Sequence, residues 1–110
     1  MNEIKLPQLD SYVYVITWCD SEPFCITKDK VYMKNKTDFI TEDMLSSSVI
    51  EEYRQPMSVE DYGYYWTKTL KEAKELVIKF FKEELGREVI IIKNSDSDWD
   101  IEKGYKIRSE

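Results

Sequence analysis

The chain has 110 residues with 22 acidic and 16 basic side chains, a net charge of −6, 42% hydrophobic and 14% aromatic residues, and no histidine. That is enough apolar mass for one domain with one core, and it excludes a disordered polypeptide despite 35% charged residues. The missing histidine removes Ser–His and Cys–His nucleophilic catalysis, imidazole acid–base chemistry and most catalytic zinc sites.

Residues 1–10 form a loosely ordered lead-in ended by Pro7, too short and polar for a signal peptide. No apolar run approaches the roughly 20 residues of a membrane span, so a soluble, cytoplasmic protein is expected. Residues 12–18 are β-branched and aromatic on both faces, the pattern of a central strand. The segment Asp20-Ser21-Glu22-Pro23-Phe24 is a turn candidate, with Cys19 and Cys25 flanking it and able to face each other across a hairpin. In a reducing compartment they are expected as two small core or half-buried thiols without a disulfide. The chain returns at 24–27 and continues at 31–34; Asn35 and Lys36 make a second turn before a strand at 38–40.

Residues 41–54 admit two readings. Thr41 followed by Glu42 and Asp43 can open a helix, whereas Ser46-Ser47-Ser48 interrupts one and 49–54 fit a strand equally well. Pro56 and the Ser58/Asp61 pair mark a loop, and the aromatic run at 62–67 a strand. Next comes the strongest local signal. Thr69 and Glu72 make an S/T-x-x-E capping box, and Gly86 stands where a left-handed C-cap would end the helix. Between them Leu70, Ala73, Leu76, Val77, Phe80 and Phe81 form an apolar stripe, with Leu76 and Phe80 expected in the core. Lys71, Glu72, Glu75, Lys79, Lys82 and Glu83 occupy the other side. A buried strand is expected at 88–93. A period-2 strand follows through Trp99, Ile101, Tyr105 and Ile107, interrupted at Lys103 and Gly104. The pattern predicts an α+β domain spanning 1–110: a mainly antiparallel sheet of five or six strands packed on one long helix, 70–85.

The acid excess is uneven. Residues 37–65 carry seven acids against Arg54 alone, and residues 94–102 carry four acids and no base. A direct nucleic-acid binder shows the opposite sign on its contact face. Asp96, Asp98 and Asp100 have the alternate spacing that opens a calcium loop. The sixth and twelfth positions, however, hold Ile101 and Ile107 in place of glycine and glutamate, so no metal site is expected. Gly63, Gly86 and Gly104 are isolated and make no phosphate loop. The carboxylate pairs Glu51/Glu52 and Glu60/Asp61 sit in no recognisable catalytic pattern, and the expectation is a non-enzymatic protein without cofactor.

Aromatic residues next to acids suit a protein-binding surface, since Tyr and Trp bury large area at low entropic cost and carboxylates attract a basic groove. The candidate contact residues are Glu60, Asp61, Tyr64, Asp96, Asp98, Trp99 and Asp100. The alternative is an aromatic core with ordinary solvated acids. In size, lack of histidine, acidic balance and a strand running into Thr69-Leu70-Lys71-Glu72-Ala73, the chain resembles the short accessory proteins of bacteriophages of low-GC hosts. Such proteins are often inhibitors of host defence, anti-CRISPR proteins included, several of them acidic mimics of nucleic acid. The resemblance implies a class of role rather than particular residues. It leads to the expectation of a phage-borne inhibitor that occupies a basic groove on a host protein such as a CRISPR effector, in the host cytoplasm. A module sequestering a signal nucleotide would instead line its pocket with Tyr or Trp and with Lys or Arg. An oligomeric structural or regulatory protein would expose an apolar strand edge.

Overall fold

The computed structural model describes residues 5–42, 56–93 and 104–109. Seven strands and one α-helix are found there: β1 (Tyr12–Cys19), β2 (Glu22–Lys34), β3 (Asp38–Thr41), β4 (Met57–Ser58), β5 (Trp66–Thr67), α1 (Leu70–Leu85), β6 (Val89–Lys93) and β7 (Gly104–Ser109). The architecture is α+β with a mostly antiparallel, curled sheet, richer in strands than the five or six expected. Of the ambiguous residues 41–54, Thr41 is the last residue of β3, and 43–54 lie outside the described residues, as do Trp99 and Ile101.

β2 organises the sheet. One edge of it pairs with β1 along nearly its whole length; the other pairs first with β7 at Cys25–Thr27 and then with β3 from Val31 onward. The sheet therefore branches. One arm runs β5-β1-β2-β7-β6, and the other bends away as β2-β3-β4. The two hairpin segments expected at 24–27 and 31–34 are one strand of 13 residues. The β1–β2 turn is just Asp20 and Ser21, both with positive φ (52° and 66°), the primed geometry whose twist matches a hairpin. Cys19 lies opposite Glu22 and Cys25 opposite Thr17, so the two thiols do not face each other; neither is in a disulfide, and Cys19 is exposed and Cys25 buried.

Alternation along β1 gives the sheet two cores. Ile16, with Tyr14 and Trp18, points to α1 and joins Ile26, Ala73, Val77, Phe81 and Val89. Val13 and Val15 point the other way, to Val31, Phe39, Met57 and Trp66. α1 has the predicted bounds. The Thr69 hydroxyl accepts from Glu72 N at 3.1 Å and donates to the Glu72 carboxylate at 3.0 Å, while Gly86 ends the helix at φ 61°. Replacing Thr69 by alanine is expected to cost about 1 kcal/mol in chemical denaturation, since the first-turn amide of Glu72 loses its partner.

Three expectations are corrected. The helix buries Ala73, Val77 and Phe81, whereas Leu76 and Phe80 lie at the border of the stripe and are half-buried. The strand expected at 62–67 is a strand at Trp66 and Thr67 alone. Ser58 and Asp61 form a capping box that winds Val59–Asp61 into a 3-10 turn, and Gly63 enters positive φ at 79°. The strand at 89–93 is less buried than expected: Val89 is buried and Ile91 half-buried against the helix-side core, whereas on the other face Ile92 is half-buried and Ile90 exposed. From Leu6 onward the lead-in is in contact with the body. Leu6 packs on the second core, Pro7 is buried, and Asp10 N donates to Val31 O at 3.0 Å. Among the described residues no helix is long and apolar enough to cross a membrane.

Candidate functional site

The turn between β4 and β5 and one flank of α1 enclose a groove of about 500 Å³. Its aromatic wall begins at Trp18, which alternation places on the helix face near the end of β1. Tyr64 stacks on Trp18 with ring centroids 4.4 Å apart and planes 9° from parallel, and Phe80 meets Trp18 edge-on at 5.0 Å. The Trp18 indole N–H donates to the Tyr64 carbonyl at 2.9 Å, so the ring is held by a directional bond as well as by packing.

The turn explains why Tyr64 arrives there. The Asp61 carboxylate accepts from Ser58 N (2.8 Å) and Ser58 Oγ (3.3 Å), which closes the 3-10 turn. The Asp61 carbonyl then accepts from Tyr64 N (3.0 Å) and Tyr65 N (2.8 Å). Gly63 reverses the chain, its N–H donating to Trp66 O at 2.9 Å, and the Tyr65 carbonyl takes the Ile16 amide at 2.8 Å. These bonds fold a potential strand into a loop that presents Tyr64 over Trp18.

The opposite wall is helical. Leu76 and Phe80 supply an apolar floor, and Glu72, Glu75, Glu83 and Glu84 stand around it with Lys79 as the one base among them. The positions 72, 75, 79 and 83 recur at helical spacing along one flank of α1, directly beside the half-buried border of the apolar stripe. Thr67 also lines the groove, with its hydroxyl donating to the Thr69 carbonyl at 2.8 Å. The arrangement is suited to holding cationic groups. Aliphatic stems of Lys or Arg can lie on the apolar floor while their heads meet the carboxylates, and the aromatic wall adds cation–π attraction. A second concavity, of about 550 Å³, has the opposite sign, with Lys5, Lys34 and Lys36 on its walls.

Of the residues singled out in the sequence, Tyr64 is in the groove. Glu60 is exposed on the 3-10 turn, where its N–H donates to Ser58 Oγ at 3.2 Å. Asp61 has its carboxylate engaged within the turn and acts on the groove by positioning Tyr64. Asp96, Asp98, Trp99 and Asp100 lie outside the described residues. Among the described residues, no three Cys, Asp or Glu side chains are grouped as a metal site. Of the groove glutamates, the helical pattern puts Glu72, Glu75 and Glu83 on the side away from the apolar stripe and does not single out Glu84. The signal that finds them is the run of acids next to Leu76 and Phe80, the stripe's own margin. Comparison with protein-family models, curated proteins and solved structures found no match.

Proposed function

We propose that the protein is a non-enzymatic binding inhibitor whose acid-lined aromatic groove receives Lys and Arg side chains from the nucleic-acid-binding surface of a partner protein. The observation that carries this reading is the lining itself: four glutamates against one lysine around Trp18, Tyr64 and Phe80. A volume of about 500 Å³ lies inside the range of roughly 300–1,000 Å³ typical of ligand clefts. The same lining argues against a sequestered signal nucleotide, whose phosphates call for lysine or arginine. The phage-protein resemblance supplies the setting: an inhibitor of a host defence nucleoprotein, acting in the host cytoplasm and competing with the nucleic acid that its partner normally binds.

The test is competition. A nucleic-acid-binding protein captured by this chain from a bacterial host lysate should lose its nucleic acid as the chain is added. Displacement should weaken with salt, because exposed charges are screened beyond about 8 Å at physiological ionic strength. A captured partner that keeps its nucleic acid, and binds equally at low and high salt, contradicts the reading.

A further inference from the structure

We propose that the lysine-walled concavity at the β2–β3 hairpin binds a short chain of phosphates, free or as the tail of a nucleotide. The inference stands apart from the acidic groove and from what the groove binds. Three separate stretches of chain meet to form the concavity, of about 550 Å³. The lead-in supplies Lys5, Leu6 and Gln8, the hairpin Lys34, Asn35 and Lys36, and the 3-10 turn Val59. The chain carries a net charge of −6, yet no carboxylate is part of this lining.

β2 holds both main walls. Val31 N donates to Ser11 O at 2.8 Å and Asp10 N to Val31 O at 3.0 Å, which ties the lead-in to the strand three residues before Lys34. The Gln8 carbonyl accepts from Ser11 N at 3.2 Å and from Ser11 Oγ at 2.6 Å, and Leu6 packs on the second core. Asn35 closes the hairpin. Its side-chain oxygen accepts from Thr37 N and Asp38 N, each at 2.8 Å, and from the Thr37 hydroxyl at 3.2 Å. With that oxygen occupied, what Asn35 has left to offer the concavity is its NH₂ group, a donor. Asp38, the next acid along the hairpin, accepts from the Thr37 hydroxyl at 2.9 Å and lies outside the lining, as does Glu60 beside Val59.

Lys5, Lys34 and Lys36 are exposed, and among the described residues none of them is in an ion pair. Three like charges around a concave space repel one another and focus positive potential into it, and an anion relieves both. The residue types select the anion. Lysine is a compact point charge with three donors, able to meet phosphate oxygens from any direction, whereas a planar carboxylate is matched best by the fork of an arginine. Charges on separate segments also call for several anionic groups in a row rather than one. No aromatic side chain lines the space, so nothing there stacks on a base. The site reads phosphates and leaves a base unread.

Titrating the ¹⁵N-labelled full chain with inorganic triphosphate, in the absence of divalent metal, tests this. The expected result is saturable movement of the amides of Leu6, Gln8, Asn35, Lys36 and Val59, with adenosine moving none of them. ATP should move the same amides. Equal affinity for ATP and triphosphate makes the free phosphate chain sufficient, whereas tighter binding of ATP assigns the site to a nucleotide tail. Lys34→Gln combined with Lys36→Gln should raise the Kd for triphosphate about tenfold or more, with an unchanged far-UV circular dichroism spectrum. Lys68→Gln combined with Lys71→Gln removes the same charge from exposed positions elsewhere and should leave the Kd within about twofold. Triphosphate that leaves the concavity's amides unmoved overturns the proposal. So does equal weakening by the two double variants, which would reduce the effect to general attraction between phosphates and surface lysines.

Discussion

Replacing Trp66 by alanine is expected to remove about 3–5 kcal/mol of stability, read as a fall in the urea midpoint at constant slope. Trp66 is fully buried. Its ring meets Phe39 and Tyr62 edge-on, each at 5.0 Å, and its indole N–H donates to the Ser58 carbonyl at 2.7 Å. That bond links β5 to β4, the two ends of the curled path β4-β3-β2-β1-β5, so one side chain holds the curl together. Alanine leaves a cavity and strands an acceptor. Phenylalanine fills most of the space and loses only the bond, so Trp66→Phe should cost about 1–3 kcal/mol. Domains of this size hold about 5–15 kcal/mol in total, so the alanine chain should be close to unfolding. It should also loosen the groove, because the lost ring no longer packs on Tyr62 or ties β5 to Ser58, and so no longer anchors the backbone carbonyl of residue 66 that receives the Gly63 amide closing the Tyr64 loop.

The second large effect is electrostatic. Glu75→Lys combined with Glu83→Lys inverts the charge of the exposed helix flank without touching either core. Stability should change by less than about 1 kcal/mol, as for exposed charges in general. Association with a basic partner should slow by about tenfold or more at low salt, because steering by a charged cleft raises encounter rates by about 10–1,000-fold. The same variant should no longer displace nucleic acid from that partner. A doubly reversed chain that competes as well as the parent would show that the groove is not the contact.

Much of the fold was legible because its signals were local. Thr69, Glu72 and Gly86 mark both ends of α1, and the turn at Asn35 is closed by its side-chain oxygen accepting from Thr37 N and Asp38 N, each at 2.8 Å. Failure came where the tertiary environment decides between equally good local patterns. Tyr62, Tyr64 and Tyr65 have β propensity, yet one glycine and one carboxylate turn them into a loop, because Asp61 offers amide acceptors where a strand partner would be needed. Leu76 and Phe80 carry the same helical period as Val77 and Phe81. Which of them is central depends on where the sheet lies, and that is a property of the topology. The idea of an acid-rimmed aromatic surface was legible as chemistry. Charge excess points to the acids of 37–65 and 94–102, whereas those that meet the aromatic wall come from a helix whose net charge is diluted by lysines.

The central claim is that the groove between Trp18, Tyr64 and α1 recognises cationic side chains. Titrating ¹⁵N-labelled protein with a short arginine- and lysine-bearing peptide, and following amide and indole shifts, tests it most directly. The expected result is saturable movement of the Trp18 indole resonance and of the amides of Tyr64, Glu72, Glu75 and Glu83, weakened by salt and absent with a glutamate-bearing peptide of equal length. Shifts that leave Trp18 and α1 untouched, or that appear equally with the acidic peptide, would contradict it.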